Sequence, residues 1–593
     1  MTAAAPPQPV PAPPGEPLLE LRSVTCRYPD ASAPALADVD FTLRAGEIVA
    51  VMGHSGAGKS TLLKCLTGIV PRFEHAEVTG ERRAFAEPLD HLRPGDLAGR
   101  VGMVFQDFEA QIFSTNVALE VGFAPQQLGL PRAEIARRTE RALERVGLAG
   151  FDARDPATLS GGEKQRLALA GILALEPRVV LLDEPITDID PEGRRRVLEL
   201  LRALRDEGVG VLIVEHDVLA AQEADRLVLL AEGRVRADGP SADLLRDTEL
   251  IAACGVRPRD LDVLALRLGI TAPLRDVDEA ADVLRRAGFV AHATPDAQIP
   301  HAQASTSSAD PRAERSPTRA EQDEPPLLEL RDVSFRYGDD ALALDGVSLR
   351  IRAGEMVALV GQNGSGKTTL AKHLIGLLHP SQGAVLLEGR DTRGLSLGDV
   401  ARRVGFVFQN PDHQLFSASV AEEVAYGPRH LSLTPEELRA RVERALAVCG
   451  LADRRDDDPF LLRKGERQRL AVASVLAIEP RVLILDEPTT GLDWREQLAI
   501  LELLHELNRA RVTIVVISHS PWLVAEHAQR VVLMARGRVL FDGPVHELLR
   551  AEEALRAGSF VLPDASLLGL RFGVAARSVD ELAAALARRG TRP

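Results

Sequence analysis

At 593 residues the chain exceeds what one hydrophobic core can fill, because cores stop growing near about 250–300 residues and longer chains divide. Hydrophobic residues at 45% and charged residues at 26% indicate neither a disordered nor a fibrous class, and 71 Lys and Arg against 86 Asp and Glu leave a net charge of −15, the wrong sign for a nucleic-acid partner. Cys26, Cys65, Cys254 and Cys449 form no CxxC pair, which argues against a disulfide framework or a zinc site, and no stretch approaches the roughly 20 apolar residues of a spanning helix.

In chain order, residues 1–17 are Pro-rich and read as a disordered tail. From residue 18 the chain repeats itself: LLELRSVTCRY at 18–28 returns as LLELRDVSFRY at 327–337, and RAGEIVAVMGHSGAGKSTL from Arg44 returns as RAGEMVALVGQNGSGKTTL from Arg352. The repetition predicts one domain over 18–290, a flexible linker rich in Ala, Ser, Pro and Gln over 291–326, and a second domain over 327–593. Each copy ends in a related extension, about 261–288 and 567–590, and the two are expected to pack together and hold the copies as a pair. Short Val/Ile/Leu runs such as 179–182 and 211–214 alternate with amphipathic helical stretches, so the fold class is α/β with a mainly parallel sheet in each copy.

The segments GHSGAGKS at 53–60 and GQNGSGKT at 361–368 fit GxxxxGK[ST], each between a strand-like run and a helical pattern, and predict a P-loop NTPase fold. Backbone N–H groups around Gly53, Ser55, Gly56 and Gly58, and around Gly361, Asn363, Gly364 and Gly366, would curl about the phosphates of ATP. Lys59 and Lys367 would reach the β and γ phosphates, Ser60 and Thr368 would ligate Mg²⁺, and Thr61 and Thr369 complete each loop. Downstream, apolar strands end in Asp183-Glu184 and Asp486-Glu487. The aspartates suit Mg²⁺ through water, and the glutamates can take a proton from, or orient, the water attacking the γ phosphate.

At 159–166 the chain reads LSGGEKQR, and here it resembles the ATP-binding cassette (ABC) family. A Ser-Gly-Gly helix start, Ser160, Gly161 and Gly162, is a second anion site, and the resemblance implies that it reaches ATP held by the opposite cassette. It further implies a helical signature subdomain, Mg²⁺ sensing by Gln106 and Gln409, γ-phosphate contacts by His216 and His519, adenine stacking on Tyr28 and Tyr337, and roles for Asp190 and Asp493 after the DEP turns. The run 193–196, Gly193 followed by three arginines, lies in a helical pattern and reads as a solvated face.

In place of the second signature stands LRKGERQR at 462–469, where Arg463 and Lys464 replace the serine and first glycine and Gly465 is kept. ATP on Lys367 would then meet the intact signature and ATP on Lys59 the altered one, so the Lys367 site is expected to hydrolyse faster; the alternative is that Arg463 and Lys464 supply positive charge in place of the lost hydroxyl.

After each family glutamine come QDFEAQIFSTNVALEVGFAP at 106–125 and QNPDHQLFSASVAEEVAYGP at 409–428, which resemble the ATPase subunits of energy-coupling factor (ECF) importers. Phe108 and Glu109 depart from the Pro-Asp of that pattern. The resemblance implies a peripheral subunit at the cytoplasmic face of the cell membrane, a transmembrane scaffold partner and a substrate-binding membrane partner, and a vitamin, precursor or metal cation as cargo. Phe113, Phe123, Phe416 and Tyr426 are then either interface or core. Ribosome-acting twin cassettes of the ABC-F kind would carry a charged helical linker and two intact signatures, and sugar-importer ATPases a degraded second P-loop; neither pattern is present.

Overall fold

The computed structural model describes residues 15–29, 31, 33–186, 191–291, 325–338 and 342–588. Residues 1–14 of the tail, 292–324 of the linker and Asp190 lie outside the described residues. The chain divides into two compact units, one reaching to Arg259 and taking in Gly491–Arg495, the other comprising Asp260–Thr490 and the chain from Glu496 onward.

In the first unit a six-stranded sheet runs in the order Arg234–Pro240, Arg226–Ala231, Ile48–Met52, Gly210–Val214, Val179–Asp183, Val101–Val104. Every pairing is parallel except that of the edge strand Arg234–Pro240. Ile48–Met52, Val179–Asp183 and Gly210–Val214 are buried at every residue, the signature of strands covered on both faces, and their near-continuous apolar runs follow from that burial. Successive side chains point to opposite faces, so one strand feeds two cores. Val49 and Val51 join Leu19, Val39, Phe41 and Leu62 beneath a four-stranded antiparallel sheet, while Ile48, Ala50 and Met52 join Val117, Leu143, Leu167 and Leu201 from the helices of the other face.

The second unit repeats this plan, with the sheet order Val404–Val407, Val482–Asp486, Thr513–Ile517, Met356–Val360, Arg530–Ala535, Arg538–Pro544. The α/β, mainly parallel architecture is thus as the repeated strand pattern implies, twice over. In both sheets the P-loop strand, its neighbour and the Asp-Glu strand lie side by side, so their carboxyl ends open on one edge, where ligands of such sheets bind.

The second unit also contains both extensions. Helices Asp260–Leu268 and Val277–Arg286 pack with Asp564–Arg571 and Val579–Ala585 around Leu261, Leu264, Leu284, Leu568 and Leu582, all fully buried. Phe289–Ala291 pairs antiparallel with Leu586–Arg588 to close the cluster. Among the described residues, no helix is long and apolar enough to cross a membrane.

Candidate nucleotide sites

Each P-loop leaves its strand through a glycine that nothing else could replace. A Cβ on Gly53 would stand 2.2 Å from the Leu230 carbonyl oxygen, and one on Gly361 2.2 Å from that of Met534. Gly58 and Gly366 open the following helices at φ 103°, in the left-handed region, with a neighbouring backbone carbonyl 2.4 and 2.6 Å from the missing Cβ. By contrast Gly56 and Gly364, also left-handed, face open space, which leaves the crest of each loop accessible. Lys59 and Lys367 are buried and curl back on their loops: Nζ donates to Gly53 and His54 carbonyls at 2.8 and 3.0 Å, and to Gly361 and Gln362 carbonyls at 2.7 and 2.9 Å. Burial pushes the Lys367 ammonium below its usual range, against the pull of Glu487 and Asp486. Tyr28 and Tyr337 reach the same helices, with hydroxyls 3.4 and 3.5 Å from Thr61 and Thr369.

The neighbouring strand ends supply acids. Burial raises Asp183 and Asp486 to about 6, with hydrogen bonds to Ser60 and Thr368 pulling the other way. Asp183 Oδ1 is buried with no hydrogen-bond partner among the described residues, the state of an oxygen shaped for a cation or its water. Glu184 and Glu487 sit at φ 54° and 47°, a conformation that costs a non-glycine residue about 1–2 kcal/mol. The turn aims their carboxylates at the histidines: Glu184 Oε1 is 3.0 Å from His216 Nε2, and Glu487 Oε1 2.7 Å from His519 Nδ1. Gln106 Nε2 donates to Glu184 Oε2 at 3.0 Å, and Gln409 stands at the same point of the second copy; both glutamines are exposed.

The sequence reading passed over Glu215. It is fully buried under this cluster, accepts from Ile186 N at 2.8 Å and His216 N at 3.2 Å, and is pushed up to about 8 by burial and by the charge of Glu184. The equivalent position in the second copy is Ser518, whose hydroxyl accepts from Ser520 N, so the support beneath each histidine differs. A lone glutamate inside an apolar strand end was the available signal.

The signature helices differ as well. Ser160 caps Gly161–Leu173 in a reciprocal pair with Glu163, whose carboxylate takes both Ser160 N and Oγ at 2.8 Å, and a Cβ on Gly161 would meet nothing. Gln165 ties this helix to the Asp-Glu turn through the Pro185 carbonyl at 2.6 Å. In the second copy Arg463 N donates to Glu466 at 2.8 Å, but an arginine has no acceptor with which to cap the helix Lys464–Leu476. Gly465 is buried against Glu496.

Two further residues per copy explain the spacing of the 106–125 and 409–428 segments. Gln111 accepts from Phe105 N at 3.0 Å and donates to the Met103 carbonyl, and Gln414 accepts from Phe408 N at 3.3 Å. Glu120 Oε2 takes Phe113 N and Ser114 N at 3.2 and 2.8 Å; Glu423 Oε2 takes Phe416 N and Ser417 N at 2.9 and 2.8 Å. These bonds hold up two exposed edge-to-face pairs, Phe113–Phe123 and Phe416–Tyr426, each with ring centroids 4.7 Å apart. Exposures of 62% for Phe113 and 59% for Phe416 rule out the core alternative. Within the first unit Asp493, from Gly491–Arg495, accepts from Ser55 N at 2.7 Å.

By sheet order and by what the strand ends carry, each unit falls in the class of P-loop ATP-binding domains. The comparisons with known proteins narrow this. The ABC transporter family matches residues 36–187 and 344–490. A Caldanaerobacter subterraneus protein named for ABC-transporter ATP binding is 38% identical over 568 residues, covering 95% of this chain and 97% of its own. A Methanosarcina acetivorans protein of the same description is 39% identical over 557 residues, covering 93% and 90%. The solved structure of cbiO1 from Clostridium perfringens, part of the ABC transporter complex cbiONQ, is 36% identical and covers 39% of this chain and 94% of its own, at a TM-score of 0.37. The chain belongs to the ABC transporter family, as an ATPase whose ATP hydrolysis is coupled to transport.

Proposed function

We propose that this ATPase energises an ECF-type importer from the cytoplasmic face of the membrane, with a transmembrane scaffold and a substrate-binding membrane protein as partners. The observation that carries the reading is the pair of exposed aromatic ledges, Phe113–Phe123 and Phe416–Tyr426, each propped by a buried or half-buried glutamate on the spacing of the ECF pattern. Two stacked rings left in water expose area that an apolar partner would cover, the usual anchor of a protein interface.

In the chemistry of each site, Lys59 and Lys367 are placed to exchange their loop carbonyls for phosphate oxygens. The carboxylates of Glu184 and Glu487, oriented by His216 and His519, are placed to take the proton of the attacking water. The donor set fits Mg²⁺: Ser60 with the orphaned oxygen of Asp183, and Thr368 with Asp486, are hard oxygen ligands, to which Gln106 and Gln409 add amide oxygens. Bound there, the ion would neutralise charge on the β and γ phosphates.

Affinity purification from native membranes in detergent, followed by mass spectrometry, tests the assignment. Co-recovery of two small integral-membrane proteins is expected and would identify the cargo-binding subunit. Recovery of ribosomal proteins would overturn the importer role.

A further inference from the structure

We infer that Glu496 is a built-in plug of the altered second signature, and that its carboxylate, rather than the loss of the Ser-Gly pair alone, keeps a nucleotide phosphate from that helix. The inference rests on the reading that the signatures serve ATP hydrolysis.

Gly465 is the residue of Arg463–Lys464–Gly465 that retains a glycine, so its backbone is where close phosphate approach would survive. That approach is already taken. A Cβ on Gly465 would lie 2.6 Å from both Cδ and Oε1 of Glu496 and 2.8 Å from its Cγ, so the glutamate side chain fills the space beside the first turn of Lys464–Leu476. The positive end of a helix attracts an anion, and here the carboxylate of Glu496 adds a second negative charge to that of Glu466, which accepts from Arg463 N.

The first copy shows the other arrangement. The residue matching Glu496 is Gly193, which has no side chain to extend toward the Ser160 helix, and the residue matching Lys464 is Gly161, around which a Cβ would find open space. Three differences thus fall on one helix end and work in one direction. Arg463 removes the hydroxyl, Lys464 adds bulk, and Glu496 fills the space at Gly465 with a negative charge that repels phosphate. Basic residues alone would favour phosphate, as the alternative reading of Arg463 and Lys464 requires; Glu496 against Gly465 offsets that charge.

The test uses the full-length chain in the Glu487→Gln background, where, on the reading that ATP on Lys59 meets the second signature, the residual turnover reports on that helix. Adding Glu496→Gly, which copies the first unit, should raise the residual ATPase about tenfold, the upper scale of a charge placed at a helix end. Glu496→Gln, which keeps volume and helix propensity but not charge, should give a smaller rise with an unchanged melting temperature. Arg463→Ser with Lys464→Gly, leaving Glu496 in place, should stay at the background rate. The plug is overturned if neither Glu496 variant exceeds the background while ATP binding is retained, or if the Ser-Gly replacement alone restores turnover. Absence of ATPase from the unmodified protein would instead strike at the hydrolytic reading.

Discussion

At the scale of single residues, the two glutamates at left-handed φ are the proposed bases, and their surroundings differ. Replacing Glu487 by Gln should lower steady-state ATPase about 10²-fold, the range for loss of a general base, while Glu184→Gln costs far less; equal losses in a phosphate-release assay would refute the asymmetry. Glu215 gives a pH signature. Its carboxyl is raised to about 8 in the folded protein against 4.5 for the free group, so between those values the native state holds the extra proton. Stability from this group is present at low pH and lost as pH rises toward 8. Glu215→Gln should therefore gain on the wild type by about 2–3 kcal/mol between pH 6 and pH 8, read from denaturant unfolding at both values. The P-loop lysines and the Asp-Glu ends were legible in the sequence because their chemistry demands fixed residue types at fixed spacing, and the histidines through the family resemblance alone. Glu215 and Glu496 were not, because what they do depends on which backbone lies against them, and no local spacing encodes that.

At the scale of elements, the aromatic ledges are held by side chains bonded to backbone rather than by a core. Glu423 is buried with two N–H donors on one oxygen, and charge-assisted bonds of this kind are worth about 1.5–3 kcal/mol each before relaxation. Glu423→Ala should collapse the Phe416–Tyr426 ledge, and Glu120→Ala the Phe113–Phe123 ledge, with loss of the membrane subunits on purification but with ATPase in detergent largely retained. Detergent-stable complexes from the double variant would show that the ledges are not the docking elements. The sheets themselves were readable strand by strand, since burial on both faces forces the continuous Val/Ile/Leu runs. Whether the four aromatics were interface or core was not readable, because an alternating apolar pattern looks the same on either side of a helix until its packing is known.

At the scale of the whole molecule, the repeat was plain in the sequence, and the packing of the two extensions on each other could be read from their likeness. What was not readable is which side chains seat that cluster, since Leu261, Leu264, Leu284, Leu568 and Leu582 carry no mark that separates them from other buried leucines. The cluster of Leu284, Leu568 and their neighbours makes a direct prediction: protease cleavage within 292–324 should leave the two fragments associated without nucleotide, and Leu284→Asp with Leu568→Asp should let them separate on gel filtration. The same crossover has a consequence for synthesis. Phe289 cannot pair until Arg588 has been made, roughly 300 residues later, or about 15–60 s at ordinary elongation rates. Through that interval the helices carrying Leu568 and Leu582 do not yet exist, so a ribosome halfway through this message carries an apolar face whose cover is still unmade.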